Sequence, residues 1–312
     1  MKQERILLPG GAGLVGQNLV AHLKRHGYGN IVVLDKHRAN LEILKQFHPD
    51  ITVEYADLAE AGAWEQHFAD ADVVVMLQAQ IGDLQLEPFV RNNLTATDHI
   101  LAAIKRYNIP YTVHISSSVV QSVANDHYTH TKKQQEQQVL DSQIPCVVLR
   151  PTLMFGWFDR KHLGWLSRFM RKVPVFPIPG DGKFMRQPLY VGDFCNIIVS
   201  CIENRIQGQV FNITGLEKVD YIDIIRLIKQ ATGAKTMLLK IPYHLFYLLL
   251  KLWAVFDRNP PFTADQLQAL VAHDEFEVID WPAIFNVTPT PLTDALAETF
   301  NDPVYGKVVL EF

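Results

Sequence analysis

Tyr128-Thr129-His130-Thr131-Lys132 sets a phenol and an ammonium four residues apart. On a helix both lie on one face. An ammonium beside a phenol stabilises the phenolate and lowers its pKa from an ordinary value of about 10. A tyrosine tuned in this way can take a proton from an alcohol near neutral pH, or return one to a carbonyl. The bland alternative is a surface pair worth about 0.2–0.5 kcal/mol. Twelve residues before Tyr128 begins Ser116-Ser117-Ser118, whose hydroxyls can hydrogen-bond a substrate oxygen. These five residues suit proton transfer at an alcohol or ketone.

A second constellation suits a phosphate-bearing cofactor. Gly10-Gly11-Ala12-Gly13-Leu14-Val15-Gly16 has glycines three apart and lies between the apolar run Arg5–Leu8 and a helical pattern at Val15, Leu19, Val20 and Leu23. A glycine turn there lets the backbone approach a pyrophosphate, and the helix N-terminus offers free N–H groups and positive dipole. A plain tight turn is the competing reading. Asn30–Leu34 reads as a second strand and ends at Asp35, 19 residues past Gly16. An acid at that place takes the ribose hydroxyls of a dinucleotide and repels a 2′-phosphate, so the expected cofactor is NAD. Arg38, close behind, is the residue that would hold the phosphate of NADP instead.

These residues need a scaffold that brings them to one edge. Thr52–Tyr55 reads as a third strand ending near Asp57-Leu58, where an acid can accept a hydrogen bond from the adenine amine. Asp72–Leu77 is a fourth strand, apolar throughout as strands buried on both faces are, and Leu77, Gln78 and Ala79 lie at its end. Tyr111–Ile115 and Cys146–Leu149 are the fifth and sixth, with a long helix at Leu94–Tyr107 and another at Tyr128–Leu140. Alternation of this kind predicts an α/β fold, a Rossmann-type doubly wound parallel sheet that binds ligands at its carboxyl edge. Residues 1–155 form the NAD-binding domain, with elements returning after 190, and 156–312 are mostly a smaller substrate-binding lobe. In that lobe, helices are expected at Asp193–Glu203, Tyr221–Ala231, Tyr243–Phe256 and Thr263–Ala272.

Composition narrows the partners. The 312 residues carry a net charge of −4, which gives no basic field for nucleic acid. Cys146, Cys195 and Cys201 are too few and too scattered for a zinc site or a disulfide framework. They fit a reducing cytoplasm, no metal is expected, and no apolar signal region opens the sequence. Ile241–Phe256 is nearly all apolar but too short to span a bilayer. A buried helix is the first reading of it, and contact with a membrane surface or a hydrophobic substrate the second.

With these motifs in order, the chain resembles the extended short-chain dehydrogenase/reductases of the NAD-dependent epimerase/dehydratase type. Gly10, Gly13 and Gly16 match the family's nucleotide loop, Asp35 its ribose acid, Asp57-Leu58 its adenine-side pair, and Tyr128 and Lys132 its catalytic pair. Asn93-Leu94-Thr95-Ala96-Thr97 is similar to the family's Asn-x-x-Gly-Thr, which implies that Asn93 helps hold a proton-relay water. Counting along Ser116–Ser122 against Ser-Ser-Ser-Ala-Val-Tyr-Gly assigns the catalytic hydroxyl to Ser117, with Ser118 the alternative and a substrate contact. Arg150-Pro151-Thr152-Leu153 follows an Arg-Pro-x-Asn pattern with Leu153 in place of the asparagine. Gly180-Asp181-Gly182, leading to Arg186, resembles a loop whose arginine meets a substrate phosphate; a salt bridge to Asp193 is the competing role. Trp157 and Phe158, past the sixth strand, are read as lining a substrate pocket.

The resemblance implies an NAD-dependent oxidoreductase or epimerase acting on a secondary alcohol. Arg186 favours a nucleotide sugar, whereas Leu153 and the 241–256 segment favour a hydrophobic alcohol. Dehydration is the least expected reaction, because Ser118 and Val119 stand where its acids should be. The stretches Phe155–Tyr190, Pro260–Gln266 and Thr288–Leu292 also resemble a non-catalytic branch that includes an accessory subunit of respiratory complex I. A homodimer formed through the helices at 94–107 and 128–140 is implied as well.

Overall fold

A computed structural model describes residues 2–256, 263–271 and 277–311. Pro260, Pro261, Phe262 and Ala272, which belong to stretches singled out above, lie outside the described residues. The first half alternates β1 (Ile6–Pro9), α1 (Leu14–Arg25), β2 (Ile31–Asp35), α2 (Arg38–Phe47), β3 (Thr52–Tyr55), β4 (Val73–Met76), the single turn α3 (Leu86–Phe89), α4 (Ala96–Arg106), β5 (Thr112–Ile115), α5 (His127–Asp141) and β6 (Cys146–Pro151). The second half holds β7 (Met154–Phe155), α6 (Leu163–Lys172), β8 (Val175–Pro179), β9 (Met185–Arg186), β10 (Leu189–Tyr190), α7 (Val191–Asn204), β11 (Val210–Ile213), β12 (Val219–Asp220), α8 (Tyr221–Thr232), β13 (Met237–Ile241), α9 (Tyr243–Phe256), α10 (Ala264–Val271), α11 (Trp281–Phe285) and α12 (Leu292–Asn301).

Seven strands form one sheet in the order β11-β6-β5-β4-β1-β2-β3, and every pairing in it is parallel. The fold class is therefore the doubly wound Rossmann type. Burial on both faces explains the unbroken apolar strands. Ile6, Leu8, Val33, Val73, Val75 and Val113 pack on one side with α1 and α7. Leu7, Val32, Leu34, Val74, Met76 and Val148 pack on the other with α4. The period of two within each strand sends neighbours to opposite layers.

The seventh strand, β11, escaped the sequence reading. It is only four residues of mixed polarity, half of them partly buried, so it lacks the apolar run that marked the others. Its place beside β6 comes from pairing Val210–Ile213 with Val148–Pro151. The chain leaves β1 toward β2 and β3, and β4 leads the other way toward β5 and β6. A crevice opens between β1 and β4 at this reversal, which is where ligands bind in such sheets.

The expected helix at Leu94–Tyr107 is shorter and starts differently: a wider turn over Val90–Thr95 runs into α4. In the C-terminal half of the chain β8 and β13 pair in parallel, Val175 opposite Met237 and Pro177 opposite Leu239. Helix α9 follows at once and packs Phe246 and Leu250 against Ala264 and Leu267 of α10. No helix among the described residues is long and apolar enough to cross a membrane.

Candidate active site

The turn after β1 and the loop after β4 meet at the crevice so closely that only glycine fits. Gly10 has φ +78°, and a Cβ there would lie 2.4 Å from the backbone of Gln78. At the start of α1, a Cβ on Gly16 would come within 2.1 Å of the Gly11 oxygen. A Cβ on Gly13, by contrast, would meet no atom within 4 Å. The spacing therefore does two jobs: Gly10 and Gly16 let the loop close on itself, and Gly13 leaves the helix N-terminus open toward the cleft. No side chain caps α1 at its start and no acid occupies its first turn. Its leading N–H groups and dipole remain for an anion.

Asp35, at the end of β2, accepts hydrogen bonds from the backbone N–H of Ala12 (3.0 Å) and of His37 (2.9 Å). Each carboxylate oxygen takes one, so further acceptor capacity remains for ribose hydroxyls. Asp57 lies along the same cleft but is held by Arg91 at 2.8 Å and by the N–H of Ala59. Burial works to raise its pKa, and those bonds outweigh it and keep the carboxyl below the usual range.

The cleft has a volume of about 660 Å³. Gly10, Ala12, Gly13, Leu14, Val15, Gly16, Asp35, Asp57, Leu58, Leu77, Gln78 and Ala79 all line it, as do Ser117, Ser118, Tyr128 and Lys132. Gly11 is tucked behind, where a Cβ would press on the Leu8 oxygen at 2.9 Å. A dinucleotide's phosphates, ribose and nicotinamide thus have an open N-terminus, an acid with spare acceptor sites and a polar far end along one continuous groove. The residues present fit NAD.

Helix α5 presents the proton-transfer pair because of its cap. Asp126 accepts from the N–H of Thr129 at 2.9 Å and from its hydroxyl at 2.8 Å, fixing the first turn. Tyr128 then falls in that turn and lines the cleft with Ser117, which follows the end of β5. Ser117 receives the Val119 N–H at 3.4 Å.

Lys132 differs from expectation. It is 1% exposed, and its ammonium donates to the Ile115 oxygen at 3.2 Å and to Gln135 Oε1. Burial lowers its pKa from 10.5 to about 7, against the opposing pull of Glu136. The Tyr128 pKa is raised, not lowered: burial dominates, the nearby Ser117 hydroxyl opposes it, and Asp126 adds to it. The spacing of four does bring the two residues to one face, but the lysine is turned toward backbone and amide acceptors.

Two residues behind the wall escaped the sequence reading. Gln135 joins Lys132 to Thr97, to which its amide donates at 2.9 Å. Glu136 is buried and accepts from the Ser116 hydroxyl at 2.5 Å and from Arg150 Nε at 2.9 Å, with a further bond from Arg150 Nη2. It ties the ends of β5 and β6 to α5. Only the positions Gln135 and Glu136, three and four past Lys132 on the same face, hinted at this. Thr152, Met154 and His162 also line the cleft. The first two could be found from their place after a strand end, whereas nothing local marked His162.

Three of the expected site residues lie away from the cleft lining. Asn93 does not line the cleft: it is fully buried, accepts from the Gln80 N–H at 2.7 Å and donates to Thr131 Oγ1 at 3.0 Å. It pins the loop after β4 to α5. Trp157 is likewise fully buried, packed with Ala21, Phe158 and Leu310, and its indole N–H donates to the Glu298 oxygen at 3.2 Å. A large ring beside α1 gains more by entering that core than by facing water. Arg186 stands away from the cleft lining and donates to the backbone oxygens of Met185 (2.8 Å) and Leu270. The competing bridge to Asp193 is not made by the bonds of that carboxylate, which go to Thr290 at 2.6 and 3.0 Å.

Comparison with known proteins follows the geometry. Residues 6–214 match the model of the NAD dependent epimerase/dehydratase family. The chain is similar to UDP-glucose 4-epimerase of Vibrio cholerae, 23% identical over 302 residues, covering 88% of this chain and 90% of the relative. It is also similar to NADH dehydrogenase [ubiquinone] 1 alpha subcomplex subunit 9, mitochondrial, of Dictyostelium discoideum, 24% identical over 298 residues, covering 92% and 81%. Among solved structures, UDP-glucuronic acid 4-epimerase from Bacillus cereus in complex with NAD superposes with a TM-score of 0.69 at 23% identity, covering 94% of this chain and 96% of that one. With two thirds of its length matched by one family model and NAD the cofactor of that family, the chain belongs to the NAD-dependent epimerase/dehydratase enzymes.

Proposed function

We propose that the protein transfers hydride reversibly between NAD and a secondary carbinol carbon, with Tyr128 moving the hydroxyl proton. The observation that carries this is that Tyr128, Ser117 and Lys132 line the same cleft as the Gly10–Gly16 turn and Asp35. Bound NAD supplies the hydride donor or acceptor. Ser117 and Tyr128 hold the substrate oxygen from one side, and Ser118 and Val119 shape the wall beside it. With its pKa raised, Tyr128 is a neutral phenol near pH 7 and is prepared to hand its proton to a ketone oxygen. Removing a proton from an alcohol asks for positive charge near the phenol, and Lys132 supplies it by turning from the Ile115 oxygen. Its pKa of about 7 means that this cation is present over a limited pH range.

The substrate reading is a nucleotide-sugar hydroxyl. The coverage of nearly the whole chain by the Vibrio and Bacillus 4-epimerases supports it. A hydrophobic alcohol is the second reading, favoured by one observation: Leu153, Ile81, Val119 and Met154 line the cleft while Arg186 bonds backbone away from it. Purified protein with NAD is to be offered nucleotide sugars and apolar secondary alcohols, with nicotinamide absorbance and sugar products followed together. Epimerised sugar without net reduction of NAD supports the first reading, and stoichiometric reduction with an apolar alcohol the second. Tight NAD binding with no turnover across both panels overturns catalysis and favours a structural role. A reducing cytoplasmic setting, read from three buried free cysteines, and a homodimer complete the proposal; sedimentation of the purified protein tests the dimer.

A further inference from the structure

The surface built by β8, β13 and α9 is unlike the rest of the molecule. Met237 and Leu239 on β13, and Leu245, Leu248, Leu249, Leu252 and Trp253 on α9, are each 46–59% exposed. Seven large apolar side chains within 17 residues is far from the scattered exposure that soluble surfaces show. The strand pairing explains the first part. Alternation along β13 turns Met237 and Leu239 outward opposite Val175 and Pro177 of β8, so the two-stranded sheet has an apolar outer face. Ile241 ends that strand and α9 begins two residues later. Among the described side chains of α9, only Phe246 and Leu250 are buried, against α10.

The charge around this surface is equally one-sided. Residues 163–180 and 234–256 contain no Asp or Glu and six Lys or Arg. Arg171 and Lys172 precede β8, Lys235 precedes β13, Lys240 lies in it, and Lys251 is on α9, all of them exposed. An apolar helix face with Trp, bordered by cations, is the make-up of a segment that lies in the headgroup region of a membrane. Anionic headgroups complement the cations, at roughly fivefold in partitioning for each lysine near the surface.

We infer that α9, with the outer face of β8 and β13, docks this protein on an anionic lipid surface, the helix lying in the interface without spanning it. The inference does not depend on the proposed reaction.

The test is flotation of the full chain with vesicles of phosphatidylcholine alone and of phosphatidylcholine with phosphatidylglycerol, at low and high salt. The expected result is flotation with the anionic vesicles, falling as salt rises, and little with the zwitterionic ones. Leu248→Glu/Leu252→Glu changes two exposed positions and is expected to weaken flotation at least tenfold. Lys240→Gln/Lys251→Gln keeps the apolar face and is expected to weaken it about 25-fold, from the fivefold per lysine. No flotation at low salt, or flotation unchanged in both variants, overturns the inference. So does a wild-type dimer that never floats and that Leu248→Glu/Leu252→Glu converts to monomer, since a second copy then covers the face.

Discussion

Glu136 lies beneath the reacting hydroxyls without touching the cleft, and its removal separates stability from chemistry. Its carboxylate receives three donors, the Ser116 hydroxyl and two Arg150 nitrogens, and is the charge that holds up the Lys132 pKa. In Glu136→Gln the amide offers one acceptor oxygen where two were used. Arg150, with its side chain 20% exposed, is left a partly buried cation without its counter-charge. Breaking a fully buried pair costs about 3–5 kcal/mol; partial exposure of Arg150 brings the expectation to roughly 2–3 kcal/mol. A chain of this length unfolds with an entropy near 0.65 kcal/mol/K, so Tm should fall by about 3–5 °C. At the same time the Lys132 pKa falls further below 7, because the opposing pull of Glu136 is gone. Calorimetry at pH 7.5 reads the first effect. The pH-rate profile reads the second, as a shift of the lysine limb to lower pH. Glu136→Gln/Arg150→Met removes both charges and should recover most of the stability without recovering the profile. A Tm within 1 °C of wild type together with an unmoved profile would refute the reasoning.

Three further outcomes follow from the site. Tyr128→Phe keeps the ring and loses the proton carrier, so kcat should drop about 10²–10⁴-fold with NAD affinity, read by calorimetric titration, nearly unchanged; a small kcat effect would remove Tyr128 from the chemistry. Lys132→Met tests the buried amine through stability. Its folded pKa of about 7 lies below the ordinary 10.5, so the unfolded chain binds the extra proton between those values and native stability rises with pH across that window. The charge penalty is fully present below pH 7, at most roughly 5 kcal/mol, and the Tm advantage of Lys132→Met should be greatest there and fade toward pH 10.5; the opposite slope would be fatal to the assignment. Asp35→Ala loses a charge-assisted acceptor worth about 1.5–3 kcal/mol, so NAD should bind roughly 10–150-fold more weakly while NADP loses less, a comparison that titration of both dinucleotides makes directly.

Much of the fold and the cleft's nucleotide end could be read from the sequence, because their determinants are local. The strand–glycine–helix pattern at 6–23 and the acid at the end of β2 each depend on residues within one βα unit. Tyr128 and Lys132 share a face for the same reason. What resisted reading depends on partners far along the chain. The demand for glycine at position 10 comes from Gln78, 68 residues away. Asn93 is claimed by Gln80 and Thr131, Trp157 by Glu298, and Arg186 by the Leu270 backbone; each type is equally at home facing a ligand. The orientation of the Lys132 ammonium was set by Gln135, an acceptor three residues on that spacing alone does not single out. Apolar composition marked 241–256, but only the packing of α10 on one side reveals which side chains stay in water.

The parallel pairing of β6 with β11 also matters while the polypeptide is being made. Roughly sixty residues separate the two strands, and synthesis at about 5–20 residues per second takes on the order of 3–12 s to cross them. Throughout that interval the nascent sheet ends in Val147, Val148 and Leu149 with their peptide groups unpaired, an adhesive border beside a ribosome. We expect that interval to be when the growing chain most needs a chaperone, and substitutions that weaken the Val210–Ile213 segment to lower the yield of soluble protein more than they lower its melting temperature.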